Sequence, residues 1–163
     1  SRSSKSRTKE KINFILIQTL SAPTGFLFII VMKIAIIGFG NMGQTYANSF
    51  MSSGFVGASD ILILNKVVVE EKYSFGIDSA NFYTQPNPII FESDILILAV
   101  KPQDFKQLAS EIKAFLNPEH VILSVMAGIS IEAMQKELGV TKIVRCMLNI
   151  RTLMGEGMNG FCA

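Results

Sequence analysis

Cysteine and histidine, the residues that build most metal and nucleophile sites, are scarce in this sequence. The 163 residues include two cysteines and one histidine. Cys146 and Cys162 lie too far apart for a Cys-x-x-Cys metal or redox motif, so we interpret them as reduced thiols. His120 follows Asn117-Pro118-Glu119 without a cluster of ligand-type residues, which predicts a surface turn residue. We therefore expect no metal site, and the catalytic residues stay unassigned.

Charged residues are also few, and they are unevenly distributed. Lys, Arg, Asp and Glu make up 17% of the chain, whose net charge is +2. Residues 1–31 hold five basic residues against one acidic residue, whereas the remainder holds ten basic and twelve acidic residues. The excess of positive charge therefore belongs to the amino-terminal segment. Because the rest of the chain has no basic stripe, we expect no nucleic-acid partner.

Residues 1–31 do not follow the pattern of a folded domain. A polar, basic stretch precedes twenty uncharged residues, Ile12–Val31, which are enough to cross a bilayer. Several polar residues dilute that run, and the basic residues before it would direct the rest of the chain to be exported. We favour a non-native or upstream-translated extension, with a targeting segment or a membrane anchor as alternatives. We expect a folded domain over 32–163 and a cytoplasmic location, or an organellar one if residues 1–31 are a transit peptide.

Short apolar runs alternate with segments of helical spacing after residue 32. The runs predict strands at 33–37, 61–64, 81–84, 95–100, 121–125 and 142–147. Helices are predicted at 41–53, at 67–75, after Pro102, and from Ser130 as N-cap to Gly139 as the stop. Strands that are apolar throughout are typical of a parallel sheet covered on both faces. The expected fold class is α/β, a doubly wound (Rossmann) sheet of order 3-2-1-4-5-6, with another α/β layer fold as the alternative.

The first predicted strand ends in a glycine motif, Gly38-x-Gly40-x-x-Gly43. Gly38 would permit a tight turn, Gly40 would let backbone N–H groups approach a pyrophosphate, and Gly43 would let the helix pack closely on the strand. The free N–H groups of the helix would then face the phosphates. The motif alone is weak, but a strand precedes it, and a helix and a second strand follow. In that context it predicts a dinucleotide site.

The end of the second strand favours NADP over NAD. Proteins that bind NAD usually place Asp or Glu there to hold the ribose 2′-hydroxyl. This chain has Leu64-Asn65-Lys66 instead. No carboxylate in that stretch would repel a 2′-phosphate, and Lys66 could pair with one. A solvated turn lysine is the alternative interpretation.

Four motifs, in this order and spacing, make residues 32–163 resemble the amino-terminal domain of pyrroline-5-carboxylate reductase, the last enzyme of proline synthesis. They are IAIIGFGNMG at 34–43, LAVKPQ at 98–103, SVMAGISIEAMQKELG at 124–139 and VRCMLNIRTLMGEGMNGF at 144–161. The resemblance implies hydride transfer from NADPH to the C=N carbon of pyrroline-5-carboxylate. Alternatives are a non-catalytic nucleotide-binding fragment of a decayed frame and a relative of 3-hydroxyacid dehydrogenases. The Gly-Gly substrate loop and catalytic lysine of those dehydrogenases are not seen here.

The resemblance also implies which residues line the site. Thirteen would bind the cofactor: Ile37, Gly38, Phe39, Gly40, Asn41, Met42, Asn65, Lys66, Asn87, Ala99, Val100, Lys101 and Pro102. Of these, Asn87 matches only if one residue is gapped. The substrate side would be lined by Ala127, Gly128 and Asn149.

Two departures from the family pattern bear on activity. Where the family usually reads Met-Pro-Asn-Thr-Pro, this chain has Leu148, Ile150 and Arg151 around Asn149, which predicts a looser loop. The family also has a helical second domain, through which it dimerises and which completes the substrate pocket. We expect this chain to lack that domain and to be inactive alone.

Overall fold

The computed structural model describes residues 32–70, 74–147 and 160–162 of the chain. The interpretations of residues 1–31, the predicted site residue Asn149 and the loop around it lie outside the described residues. The described residues form seven strands and three α-helices, besides several short 3₁₀ turns. The strands are β1 Ile34–Ile37, β2 Ile61–Leu64, β3 Phe82–Tyr83, β4 Ile95–Leu98, β5 Val121–Ser124, β6 Ile143–Met147 and β7 Gly160–Cys162. The α-helices are α1 Asn41–Ser52, α2 Phe105–Ile112 and α3 Ile131–Leu138.

The strands form one sheet in the order β3-β2-β1-β4-β5-β6-β7. Strands β1 to β6 pair in parallel, which confirms the doubly wound order 3-2-1-4-5-6. Strand β7 adds an antiparallel edge, with Phe161 opposite Cys146, and was not predicted. Since β1 lies between β2 and β4, the direction of winding reverses at its carboxyl end. Ligands of doubly wound sheets bind at that point.

Apolar side chains cover both faces of the sheet and form two cores. Successive residues of a strand point to opposite faces. Ala35 and Ile37 of β1 pack in the core that includes Leu108 of α2 and Met134 of α3. Ile34 and Ile36 pack in the other core, with Ala47 of α1. A strand buried on both sides must be apolar at every position, which explains the continuous runs in the sequence.

Helices α2 and α3 connect β4 to β5 and β5 to β6, and the predicted residues Pro102, Ser130 and Gly139 lie at their boundaries. Helix α3 begins after Ser130, whose Oγ accepts a hydrogen bond from the N–H of Ala133 at 3.2 Å. It ends at Gly139, whose φ of +74° is the left-handed conformation that favours glycine. Pro102 opens a 3₁₀ turn that leads directly into α2. These boundaries agree with the sequence because each is set by local backbone chemistry.

The helix predicted over residues 67–75 is wrong. Residues 66–70 and 74–75 have no helical backbone, while 71–73 lie outside the described part of the chain. Val67 and Val68 are 72% and 79% exposed, and of the three consecutive valines only Val69 packs against a core. β-branched side chains also lose rotamer freedom in a helix. With so little packing, a helix this short is not stable, and the described residues between β2 and β3 form no α-helix.

His120 is buried, which corrects the prediction of a surface position. Its side chain is 7% exposed. Its Nδ1 accepts a hydrogen bond from the N–H of Asn117 at 2.9 Å, and Nε2 donates to the carbonyl of Phe91 at 2.6 Å, which assigns the neutral tautomer. Nδ1 therefore stabilises the turn before β5, Nε2 ties that turn to the segment before β4, and the role is structural.

Metal sites and membrane helices are absent from the described residues. In this part of the chain, no three His, Cys, Asp or Glu residues come together in a group that could hold a metal ion. Nor is any helix described here long and apolar enough to cross a membrane.

Candidate functional site

Gly38 turns the chain out of β1 at the centre of the sheet. Its φ of +97° lies in the region that glycine alone adopts without strain. An ideal Cβ at this position would lie 2.8 Å from the backbone carbon and oxygen of Ala99. The N–H of Gly38 donates to the carbonyl of Leu64 at 2.8 Å. Gly38 thus holds the ends of β1, β2 and β4 close together, in the tight turn that the motif predicts.

The other two glycines of the motif have opposite surroundings. A Cβ on Gly43 would lie 2.1 Å from the carbonyl oxygen of Gly38, so the close packing of α1 on β1 requires glycine. Around Gly40, by contrast, no described atom lies within 4 Å of an ideal Cβ, apart from its chain neighbours. Gly40 therefore leaves open space in front of the loop, on the side from which a ligand would approach.

The amino end of α1 has the features of an anion site. Its N-cap is Gly40, no side chain among the described residues caps it, and its first turn contains no acidic residue. The first N–H groups of a helix have no partner within the helix, and the helix dipole adds partial positive charge there. The first turn of α1, which begins with Asn41 and Met42, therefore offers N–H groups without a partner in the helix next to the open space at Gly40, an arrangement that is typical of phosphate sites.

Asn65 ties the second strand to the glycine loop. Its Oδ1 accepts from the N–H of Phe39 at 2.9 Å, and its Nδ2 donates to the carbonyl of Val67 at 2.8 Å. The ring of Phe39 is 3% exposed and packs edge-on against Phe82, with centroids 5.5 Å apart. Both side chains thus shape the loop, a positioning role that sequence reasoning missed. The sequence did contain one indication of this role, because the side-chain amide of an Asn such as Asn65 can both accept and donate hydrogen bonds.

A cavity of about 320 Å³ lies between the ends of β1, β2 and β4. It brings together eight of the predicted cofactor residues: Ile37, Gly38, Gly40, Asn65, Lys66, Ala99, Val100 and Lys101. Thr84, Asp104 and Glu111 line it as well and were not predicted. Residues from four separate stretches of sequence therefore meet at the point where the winding reverses.

A second cavity, of about 570 Å³, continues along the other side of the glycine loop. It shares Gly40 and the 99–101 segment with the first and adds the predicted residues Asn41, Met42 and Pro102. Its far side is lined by Met126, Ala127 and Cys146. The predicted substrate-side residue Ala127 is thus brought next to the predicted cofactor loop.

Three predicted residues, Phe39, Asn87 and Gly128, line neither cavity. The Oδ1 of Asn87 accepts from the N–H of Ile89 at 3.0 Å and caps the 3₁₀ turn Pro88–Glu92. Its neighbour Pro86 lines the first cavity. Gly128 follows Ala127 in a left-handed conformation, with φ of +74°. The functional roles of Asn87 and Gly128 stay predictions.

Lys66 faces a carboxylate that comes from another element. Its Nζ lies 3.7 Å from Oε1 of Glu111 on α2, and their side chains are 53% and 34% exposed. The same oxygen accepts a hydrogen bond from Nε2 of Gln107 at 2.9 Å. Glu111 lies far from Lys66 in the sequence, so the residues at the end of β2 gave no indication of it. The fold, rather than sequence proximity, brings α2 to Lys66.

The chemistry of Cys146 is that of a protonated thiol. Its side chain is 3% exposed, and burial raises the pKa of the thiol above its ordinary value. Burial, together with the nearby thiol, also raises the pKa of Tyr46. Cys146 is a free cysteine in the structure. A thiol that resists ionisation is a poor nucleophile, and Cys146 lines the wall of the second cavity.

Known proteins are similar to this chain over most of its length. The model of the family described as "NADP oxidoreductase coenzyme F420-dependent" matches residues 33–128, more than half of the chain. The pyrroline-5-carboxylate reductase of Aquifex aeolicus is 36% identical over 132 residues, which cover 80% of this chain and 47% of the relative. The chain thus spans about half the length of the curated relatives it matches.

Solved structures show the same architecture. A pyrroline-5-carboxylate reductase from Coxiella burnetii superposes with a TM-score of 0.68 and 26% identity, covering 80% of this chain and 49% of that one. The pyrroline carboxylate reductase of Plasmodium falciparum, solved with NADP bound, has the same fold, with a TM-score of 0.66 and 22% identity over 80% of this chain and 47% of that one.

These findings confirm the resemblance inferred from the motifs. The relatives match through their amino-terminal half, and the family description names NADP, as the end of β2 led us to expect. The chain therefore belongs to the family of NADP oxidoreductases described as coenzyme F420-dependent, and within it resembles the amino-terminal half of the pyrroline-5-carboxylate reductases.

Proposed function

We propose that residues 32–163 bind NADPH at the carboxyl ends of β1, β2 and β4, as the cofactor-binding part of an enzyme of the pyrroline-5-carboxylate reductase type. The observation that carries this proposal is the open space at Gly40, between the uncapped first turn of α1 and the cavity that contains Lys66. The similarity to the Aquifex aeolicus reductase supports the type of reaction.

The groups present fit each charged part of the cofactor. The N–H groups of Asn41 and Met42 would hold the diphosphate, because the helix dipole and the open space at Gly40 both favour an anion there. Lys66 would pair with the 2′-phosphate beyond the end of β2. The backbone of Ala99–Pro102, which lines both cavities, would run beside the middle of the molecule.

The second cavity is the candidate place for the reaction. Bound NADPH would supply the hydride that reduces the C=N bond of pyrroline-5-carboxylate. A protonated imine is already electrophilic, so the protein needs mainly to align the two carbons and exclude water. Met126 and Ala127 offer apolar surface next to the glycine loop for that purpose. We assign no proton donor.

Cofactor titration tests the binding half of the proposal. We expect the 163-residue chain to bind NADPH more tightly than NADH in a fluorescence titration. Lys66→Gln should weaken NADPH about tenfold and leave NADH unchanged, as expected for one charge-assisted phosphate contact. Lys142→Gln is the matched control, because Lys142 also pairs with a glutamate, Glu119 at 2.6 Å, but lines neither cavity. Equal affinities for both cofactors in all three proteins would contradict the phosphate assignment.

A hybrid enzyme tests the catalytic half. Residues 32–163 would replace the matched amino-terminal part of the Aquifex aeolicus reductase, and NADPH oxidation would be followed with pyrroline-5-carboxylate as substrate. Turnover by the hybrid would support the substrate proposal, whereas tight NADPH binding without turnover would contradict it. Size-exclusion chromatography of the same hybrid tests whether it dimerises, as we propose from the resemblance. We also propose a cytoplasmic location, where a reduced nicotinamide pool is available.

A further inference from the structure

We propose that Glu111 is a specificity-determining residue that reduces the preference of this site for NADPH over NADH. The inference rests on the proposed function, since it concerns the place assigned to the 2′-phosphate. It assigns a role to a residue of α2 that the glycine motif and the end of β2 do not include.

The position of Glu111 is fixed by the packing of its helix. Leu108, one turn earlier, is 4% exposed and lines the same cavity, and Ile112, the next residue, is fully buried. Gln107 Nε2 also donates to Oε1 of Glu111 at 2.9 Å, which restricts the carboxylate. The carboxylate therefore stays at the cavity, 3.7 Å from Nζ of Lys66.

Glu111 acts against a phosphate in two ways. To bind Lys66, the 2′-phosphate must either draw the ammonium group of Lys66 away from Glu111 or lie close to the negatively charged carboxylate of Glu111. A ribose 2′-hydroxyl has neither difficulty, because it can donate a hydrogen bond to a carboxylate, as it does to the acidic residue of NAD sites. Glu111 thus weakens the binding of NADPH and leaves that of NADH unaffected or slightly improved.

The expected effect is moderate, because both side chains are partly exposed and solvent screens their interaction. An exposed ion pair changes an equilibrium by a factor of up to about five. Removing the repulsion between Glu111 and the phosphate adds to this factor. We therefore expect Glu111→Gln to tighten NADPH by about three- to tenfold at low salt.

The test is a series of charges at position 111 in the full 163-residue chain. Affinities for NADPH and NADH are measured by fluorescence titration for the wild type, Glu111→Gln and Glu111→Lys. Gln keeps the hydrogen-bonding shape of Glu, and thermal melts verify that each variant folds. Glu119→Gln is the matched control, since it breaks another exposed Lys–Glu pair, 2.6 Å long, that lies outside both cavities.

The proposal predicts that the ratio of NADPH to NADH affinity rises from Glu to Gln to Lys at position 111 and is unchanged by Glu119→Gln. The gain should shrink in 0.5 M salt and fall below about twofold in a Lys66→Gln background. If both cofactors bind and the ratio does not move along the series, this inference is wrong and the proposed function stands. If neither the wild type nor any variant binds either cofactor, the proposed function fails and this inference fails with it.

Discussion

The two halves of the sheet are connected in different ways. Between β4 and β6, each crossover contains an α-helix whose inner side chains are buried, such as Phe105 and Leu108 of α2 and Met134 of α3. Between β1 and β3, the first crossover contains α1, and the described residues of the second form no α-helix. The segment from β2 to β3 leaves Val67 and Val68 exposed and borders a cavity of about 670 Å³.

Because of this difference, some parts of the candidate site are held by the buried core and others are not. The glycine loop and the 99–102 segment follow central strands that are almost fully buried. Lys66, by contrast, opens the irregular connection after β2 and is half-exposed. We infer that the diphosphate end of the site is held by the core, whereas the end that selects between NADPH and NADH can change with little cost in stability.

The largest expected effect comes from the packing of α1 on β1. Gly43→Ala places a Cβ 2.1 Å from the carbonyl oxygen of Gly38, so the helix or the loop must move. We expect the free energy of unfolding to fall by about 4 kcal/mol or more, measured by urea denaturation. Gly40→Ala is the control and should change stability by less than about 1 kcal/mol, because its Cβ meets open space. Equal losses in the two variants would show that α1 is not held closely against the strand.

The next-largest effect is expected when a buried residue of the β4–β6 half is compared with an exposed residue of the β1–β3 half. Met134→Ala removes a fully buried side chain of α3 and should cost about 3 kcal/mol. Val68→Ala removes a side chain that is 79% exposed and should change the free energy of unfolding by less than about 0.5 kcal/mol. The same urea series measures both. A loss at Val68 similar to that at Met134 would mean that the side chain of Val68 is buried rather than exposed.

Asn65 tests the tie between the irregular connection and the glycine loop. Asn65→Ala leaves the partly buried N–H of Phe39 without its partner and should cost about 1–2 kcal/mol. Because the loop itself loosens, NADPH and NADH should weaken by similar factors, unlike the NADPH-specific loss expected for Lys66→Gln. Asn81→Ala is the control, since its amide makes one longer bond, 3.3 Å to the carbonyl of Ser59. Unchanged affinity for both cofactors would remove the positioning role of Asn65.

The sequence predicted the features with local signals better than those set by contacts between elements. Strand runs and the caps of α3 are local signals, so the order of β1 to β6, the positions of these strands and the stop at Gly139 were predictable, whereas the edge strand β7 was not. The helix at 67–75 failed because a periodic pattern does not show whether an element finds a surface to pack on. His120 was misplaced because its burial depends on the carbonyl of Phe91, which lies on another element.

The candidate site likewise has features that a local motif predicts and features that depend on contacts across the fold. The glycine loop is a contiguous motif, and the structure gives Gly38 and Gly43 the backbone roles that the motif predicts. Glu111 and the double hydrogen bonding of Asn65 depend on contacts across the fold. Such contacts are set by how elements pack, and no spacing within one stretch of sequence indicates them.

The most direct test of the central claim is an NADPH titration of Gly40→Asp. Aspartate is a favoured N-cap residue, so the fold should be kept, while its carboxylate would occupy the open space before the first turn of α1. Asn48→Asp adds the same charge at an exposed position of the same helix and serves as the control. We expect the wild type and Asn48→Asp to bind NADPH alike and Gly40→Asp to bind at least about 100-fold more weakly, because phosphate and carboxylate would compete for the same N–H groups. Equal binding by all three proteins would contradict the assignment of the glycine loop as the diphosphate site.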